Sequence, residues 1–101
     1  MRRTEDFNEL LSEELKDPDF ARDYFLSKMN EIDGEPGLPL FEALKHVIKT
    51  MGVKEFAELV GMERQNISRI IAHDGPPKVE TLNRLLTPLK LRVRLDIEEV
   101  A

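Results

Sequence analysis

The sequence predicts an all-α fold that ends in one short β-strand. Along almost the whole chain, apolar residues recur at three- and four-residue spacing, which is the period of amphipathic helices. Segments that contain glycine and proline interrupt this pattern, as expected between separate helices. Only residues 91–97 alternate apolar and charged side chains with a period of two, which is typical of a strand.

The charge is divided unevenly along the chain. The 101 residues fit one small domain and carry a formal net charge of −5, which argues against a general polyanion binder. Residues 1–39 hold five basic and eleven acidic side chains, whereas residues 40–95 hold ten basic and six acidic ones. The acidity is therefore an N-terminal property, and the rest of the chain is mildly basic.

The composition excludes several kinds of site. Without cysteine there is no disulfide framework, zinc-thiolate site or thiol nucleophile. No apolar run approaches the ~20 residues of a membrane span, and the start lacks the apolar stretch of a signal peptide, so we expect a cytoplasmic protein with no membrane partner. We expect His46 on a helix surface and His73 at a helix end, and neither belongs to a metal-ligand or nucleophile–base pattern. The chain is therefore expected to be no enzyme and to hold no metal or cofactor.

Breaks in the helical pattern divide the chain into four parts. An acidic N-terminal helical arm is predicted over residues 1–33, and its second helix is expected to start at Asp17 and Pro18. Glycine and proline mark a linker. The remaining parts are a core domain and a C-terminal strand with its tail. The linker, core and C-terminal part cover residues 34–39, 40–90 and 91–101.

Four helices are predicted in the core, each with an apolar stripe on one side. Gly52 and Gly61 are suited to end the first and the second of them. Pro88 is expected to end the fourth, because proline cannot sit in a helix interior without loss of a hydrogen bond. The predicted extents are residues 40–51, 54–60, 63–72 and 79 to about 88.

The second and third core helices meet the requirements of a helix-turn-helix. A small residue is needed where the first helix touches the second, and Ala57 supplies it. The turn needs a positive φ, which Gly61 adopts without a Cβ clash. Ile67, Ile70 and Ile71 are predicted to be buried, and the first two are spaced to hold the second helix on the first.

The opposite face of this helix is polar and contains no acid. Arginine can pair with a guanine edge, glutamine with adenine, and serine with a base edge or a phosphate, so this face is predicted to read DNA. Asn66 lies on its flank and is expected to touch the DNA backbone. The alternative is a solvated face on an ordinary helical hairpin. The four predicted base-reading residues, related by i+3 and i+4 steps, are Arg64, Gln65, Ser68 and Arg69.

Two lysines outside that face are candidate phosphate contacts. Lys54 lies in the first turn of the short core helix, and Lys78 opens the last one. A solvated lysine is the alternative for each of them.

The predicted C-terminal strand has no second strand to pair with in an otherwise helical chain. Because unpaired strand edges are avoided, we expect Leu91, Val93 and Leu95 to pair in trans, with a second copy or with a partner protein. The alternative is an extended tail that packs on the helices.

From residue 40 to about residue 93 the sequence resembles the Xre/Cro-type helix-turn-helix repressors, and among them the HigA-like antitoxins (addiction module antidotes) of toxin–antitoxin modules. The helix-turn-helix residues carry this resemblance. Residues 77–82 are also similar to the family's P-x-φ-x-T-L helix opening, and residues 14–21 to the L-K-D-P-E-F-A segment before its domain. Pro88 and Lys90 depart from the family, which continues the helix and then has glycine, so the last core helix is expected to end earlier or to kink.

The resemblance implies a lambda-repressor-like bundle that forms a homodimer, binds a palindromic double-stranded DNA operator and represses transcription. It also implies a small, basic, RNA-cleaving toxin as a partner. The acidic arm would complement such a partner, with Phe20, Tyr24 and Phe25 expected in the contact; a solvated arm without a partner is the alternative. Two other functions stay open: a stand-alone phage-like or metabolic repressor without a toxin, and a protein-interaction module that does not bind DNA.

Overall fold

The computed structural model describes residues 4–30, 34–94 and 96–100. Six α-helices and one 3₁₀ helix follow one another in these segments, so the prediction of an all-α fold is confirmed at the level of fold class. None of the helices described has the length and apolar character needed to cross a bilayer. The elements are α1 (Thr4–Glu14), α2 (Pro18–Met29), α3 (Leu40–Met51), α4 (Val53–Val60), α5 (Arg64–Ala72), α6 (Val79–Leu86) and the 3₁₀ helix Thr87–Leu89.

Helix α3 is the centre of the hydrophobic core. Helices α1, α2 and α4 all pack against it. Leu44, Val47 and Ile48 have no exposed surface, and full burial of a side chain of this kind stabilises the fold by about 1.5–3 kcal/mol. The buried residues of α3 are Phe41, Ala43, Leu44, Val47, Ile48 and Met51.

The N-terminal helices belong to the same core. Leu15, Ala21 and Phe25 are buried in one cluster with the apolar residues of the later helices. The Ser12 hydroxyl donates a hydrogen bond of 3.0 Å to the carbonyl of Met51, the last residue of α3. In its described part, the predicted arm therefore packs along the core domain.

Local sequence accounts for the start of α2. The Asp17 carboxylate accepts a hydrogen bond of 2.9 Å from the backbone N–H of Asp19, and Pro18 is the first helical residue. This is the N-cap and first-turn proline arrangement that the sequence predicts.

The segment that follows α2 returns against the end of that helix. The Leu38 N–H donates to the Lys28 carbonyl over 2.8 Å. A Cβ atom on Gly37 would collide with the Met29 carbonyl. Glycine is therefore what allows the linker backbone to pass this close to the helix.

A tight turn at Gly61 joins α4 to α5. Gly61 has a left-handed φ of 76°, and its N–H donates to the Ala57 carbonyl over 2.9 Å. Ala57 and Ile67 are both buried, as predicted. Ile70 and Ile71, also predicted to be buried, pack against the core but are only half-buried.

Helix α6 ends just before Pro88, as the sequence predicts. Its last residue is Leu86, and the 3₁₀ helix that contains Pro88 follows directly. Lys90 then adopts a left-handed φ of 60°, a conformation that favours glycine. Its Nζ lies 3.0 Å from the carboxylate of Asp19, which ties this turn to the start of α2.

The predicted C-terminal strand is not confirmed, because the described residues 91–94 and 96–100 contain no strand. A strand needs a neighbouring strand for its backbone hydrogen bonds, and the described helices supply none. Leu91 and Val93 instead pack against the core, and the Val93 N–H donates to the Asn83 side-chain oxygen over 2.6 Å. Leu91 and Val93 thus fit the alternative of an extended tail that packs on the helices, whereas Ile97 and Val100 further along the tail are exposed. Leu95 lies outside the described residues.

Candidate nucleic-acid interface

Helix α5 presents a polar face opposite its buried side. Ile67 has no exposed surface, whereas the side chains on the other side of the helix are exposed. The structure thus brings five of the seven candidate DNA contacts together on one helix. They form the α5 polar face, which consists of Arg64, Gln65, Asn66, Ser68 and Arg69.

Neighbouring acids do not neutralise the cations of the α5 polar face. Five ion pairs form among the residues that the structure describes, and none of them includes Arg64 or Arg69. Glu63 stands at the N-cap position of the helix, where the helix dipole favours a carboxylate. Both guanidinium groups are therefore available to an external anion, each with its donors in a fixed fork.

Lys78 lies beside the α5 polar face because the chain turns back after α5. An open groove of about 490 Å³, the α5–α6 groove, is formed by α5, the turn over residues 73–78 and the start of α6. Asn66 and Arg69 line it from α5, and Lys78 lines it from the N-terminal end of α6. No acid is found among the described residues that line it. Lys78 and Arg69 thus contribute positive charge to one continuous surface.

Lys54 lies in different surroundings. It lines a separate groove of about 410 Å³ together with Lys16, Glu55 and Glu58. The pKa of Lys16 is raised, first by its hydrogen bond of 3.0 Å to Glu13 and then by the negative charges of Glu13, Glu55 and Glu58. Lys54 therefore belongs to a surface of mixed charge, and the structure does not place it in the α5–α6 groove.

The apolar part of the α5–α6 groove was missed at the level of sequence. Met62, Ile70 and Pro77 line it and are only half-buried. The sequence Gly75-Pro76-Pro77 predicts a turn but does not indicate which helices that turn brings together. The periodic pattern of α5 predicted that Ile70 is buried. Periodicity shows which side of a helix is apolar, but not how much of that side other elements cover.

The three candidate contacts with a partner protein, which all lie on α2, differ in how deeply they are buried. Phe25 is 2% exposed and belongs to the core, so its side chain does not lie on the surface where contact with a partner protein is expected. Phe20 and Tyr24 are half-buried, and their rings stack with centroids 6.4 Å apart. Phe20 and Tyr24 are four positions apart and therefore share one face of α2. Phe25 follows Tyr24 directly, so its side chain points in a different direction, into the core.

Tyr24 links α2 to α3 through His46. The Tyr24 hydroxyl lies 2.9 Å from His46 Nε2, and the Lys28 ammonium lies 5.1 Å from the centre of the Tyr24 ring. Burial lowers the pKa of His46, and the Lys28 cation lowers it further. His46 was expected to be an ordinary surface histidine; it is half-buried and bonded to α2.

Comparison of the chain with protein-family models, curated proteins and solved structures found no match. The residues of the site and the sequence resemblance are therefore the grounds on which a function can be proposed.

Proposed function

We propose that the chain is a sequence-specific transcriptional repressor of the Xre/Cro type, in which α4 and α5 form the helix-turn-helix of a lambda-repressor-like bundle. One observation carries this proposal. The α5 polar face is exposed, lies opposite the buried Ile67 and contains two guanidinium groups that form no ion pair with any residue the structure describes. A helix of this kind can enter the major groove of DNA while its apolar side stays in the protein.

The side chains have separate roles in this proposal. Arg64 and Arg69 pair with guanine edges and Gln65 with adenine, because these side chains match the donor and acceptor patterns of those bases. Ser68 bonds a base edge or a phosphate, and Asn66 touches the DNA backbone. Lys78 holds a phosphate beside the α5 polar face, which fixes the orientation of the protein on DNA. Lys54 is the weaker candidate, because carboxylates share its groove.

A homodimer is part of the proposal. One recognition helix reads few bases, and two copies related by a two-fold axis double the number of bases that are read. The tail beyond Val93 offers a surface for this contact, because Ile97 is 99% exposed and Val100 is 90% exposed. Backbone pairing between the tails of two copies is the form of contact that the alternating pattern of this segment favours.

The proposed biological role is that of the antitoxin of a toxin–antitoxin module, active in the cytoplasm. The support comes from the likeness of residues 14–21 to the antitoxin segment and from the acidic N-terminal part of the chain. Glu9, Glu14 and Asp23 are exposed on α1 and α2, where they can attract a small basic protein. Phe20 and Tyr24 add aromatic surface next to these charges.

DNA binding is tested with a labelled fragment from upstream of the chain's own reading frame. Fluorescence anisotropy in an excess of unrelated DNA is expected to show saturable binding that weakens as salt is added. Equal affinity for the unrelated DNA would contradict a sequence-specific repressor and favour a protein-interaction module.

The toxin partner is tested by co-expression with the small basic protein that an adjacent reading frame encodes. We expect the two proteins to purify together and the double variant Glu14→Lys/Asp23→Lys to weaken the complex. The matched control is Glu98→Lys/Glu99→Lys, which makes the same charge change in the tail. Deletion of residues 1–33 is a poor test, because it removes Leu15 and Phe25 from the core. No complex with the parent chain would favour the stand-alone repressor.

A further inference from the structure

We propose that the α5–α6 groove binds a small amphipathic anion, namely an apolar ring system that carries one carboxylate or phosphate, and that this ligand competes with DNA. The binding is a property of the groove itself. The competition rests on the proposed function, because it requires that the α5 polar face binds DNA.

The size and the apolar side of the groove fit such a ligand. Its volume of about 490 Å³ lies in the range of small-molecule sites. Met62, Ile70 and Pro77 line it with sides that no described residue covers. A ring laid against these three side chains would remove apolar surface from water, and an inorganic anion would not.

The charge of the groove selects an anion. Arg69 and Lys78 line it from two different elements, and the described lining includes no carboxylate to oppose a negative ligand. No side chain caps the N-terminal end of α6 in the described structure. Backbone N–H groups at that end therefore add to the attraction that Arg69 and Lys78 exert on an anion.

Two consecutive prolines restrict the backbone of the turn that closes the groove. Pro76 and Pro77 both have a fixed φ, and both line the groove. A wall of this kind loses little conformational entropy when a ligand binds. Less ordering of this wall is then needed when a ligand binds.

Competition with DNA follows from shared side chains. Asn66, Arg69 and Lys78 line the groove and are also candidate DNA contacts. A ligand that engages Arg69 and Lys78 would take them from the base edges and phosphates. Such a ligand would release the proposed repressor from its DNA site and would therefore act as an inducer.

The experiment titrates the full chain with three probes and follows backbone and methyl NMR signals. The probes are 1-naphthoate, the neutral 1-naphthamide and inorganic phosphate. We expect 1-naphthoate to bind at least about fivefold more tightly than the other two, with the largest shifts at Met62, Ile70 and Thr81.

Variants then test the charge. Arg69→Gln and Lys78→Gln are each expected to weaken naphthoate binding about fivefold or more and to leave naphthamide binding unchanged. Arg84→Gln is the matched control, because Arg84 is an exposed cation on α6 that does not line the groove. Equal affinity for naphthoate and naphthamide, shifts centred elsewhere, or no effect of the two variants would overturn the binding proposal.

A last measurement separates this inference from the proposed function. Naphthoate is added to the complex of the protein with its upstream DNA fragment, and release of the DNA is expected at concentrations that fill the groove. Naphthoate binding without any DNA binding would overturn the proposed function and the competition but not the groove. DNA binding that persists when the groove is filled would overturn the competition alone.

Discussion

The Tyr24 hydroxyl on α2 lies 2.9 Å from His46 Nε2 on α3, and the two rings stack with centroids 5.8 Å apart. This pair connects the acidic N-terminal helices to the centre of the fold at a half-buried position. Phe25, the next residue of α2, completes the junction through apolar packing. One polar and one apolar contact therefore join α2 to the core at this position.

Replacement of Tyr24 by phenylalanine tests the polar half of this junction. The ring and its stacking remain, but the hydrogen bond to His46 is lost, so the free energy of unfolding is expected to fall by about 0.5–1.5 kcal/mol. Urea unfolding followed by circular dichroism measures it. Ser27→Ala is the control, because the Ser27 hydroxyl bonds to the Tyr24 carbonyl within α2 and to no other residue that the structure describes. A change within about 0.5 kcal/mol is expected there. Equal stability of the Tyr24→Phe variant and the parent chain would contradict a stabilising role for the contact.

The lowered pKa of His46 predicts a pH dependence of stability. The folded state holds a proton on His46 less readily than the unfolded state, in which the pKa is the ordinary 6.5. The unfolded state therefore binds more protons as the pH falls. The contribution of His46 to the free energy of unfolding is fully present above pH 6.5. It is lost progressively as the pH falls from there through the lower folded-state pKa.

The His46→Gln variant isolates this effect. Glutamine can keep a hydrogen bond to Tyr24 but does not titrate, so its unfolding free energy should vary less with pH than that of the parent chain between about pH 7.5 and about pH 5.5. Parallel pH profiles for the two chains would show that His46 does not carry the dependence.

Gly37 is predicted to tolerate no side chain. A Cβ atom there meets the Met29 carbonyl, so Gly37→Ala must push the linker away from the end of α2. The expected loss is about 1–3 kcal/mol in the free energy of unfolding, as for other overpacked sites. Glu35→Ala, an exposed change two residues earlier, is expected to stay within about 0.5 kcal/mol. Similar denaturation midpoints for both variants would mean that the close approach carries no cost.

Gln65→Ala and Arg69→Ala test the recognition role of the α5 polar face. Each change is expected to weaken binding to the specific site by about 1–3 kcal/mol, with little effect on unrelated DNA. Both side chains are exposed, so the circular dichroism spectrum and thermal midpoint should be those of the parent chain. Arg84→Ala supplies the same loss of charge outside this face. If both variants bind like the parent chain, α5 is not the recognition helix.

Ile97→Lys tests the tail as part of a dimer. The side chain is 99% exposed in the single chain, so its replacement should not alter folding. If the tails of two copies pair, a lysine there is expected to weaken self-association in sedimentation equilibrium, whereas Ile97→Leu should preserve it. An association constant unchanged by the lysine would remove this part of the tail from the interface.

Features that depend on residues close in sequence could be predicted without the structure. The start of α2 at Asp17 and Pro18 and the turn at Gly61 are local, because a cap or a left-handed turn involves only a few neighbouring residues. The α5 polar face follows from helical periodicity in the same way. The end of α6 near Pro88 also follows, because proline removes a backbone donor whatever surrounds it.

Features that depend on contacts between distant residues were decided by the tertiary structure. Tyr24 and His46 are 22 positions apart, and no local rule pairs them. Packing also placed Phe25 in the core, Lys78 beside Arg69, and Lys54 in a groove that it shares with carboxylates. The alternation of apolar and charged residues predicted a strand after Leu89. A strand forms only where its backbone pairs with a second strand, and in the structure the Val93 N–H bonds to the Asn83 side chain instead. The sequence by itself determined the helices and their polar and apolar faces, because helix formation and helical periodicity depend on neighbouring residues. The tertiary structure decided which faces meet, because those contacts depend on how the helices pack around α3.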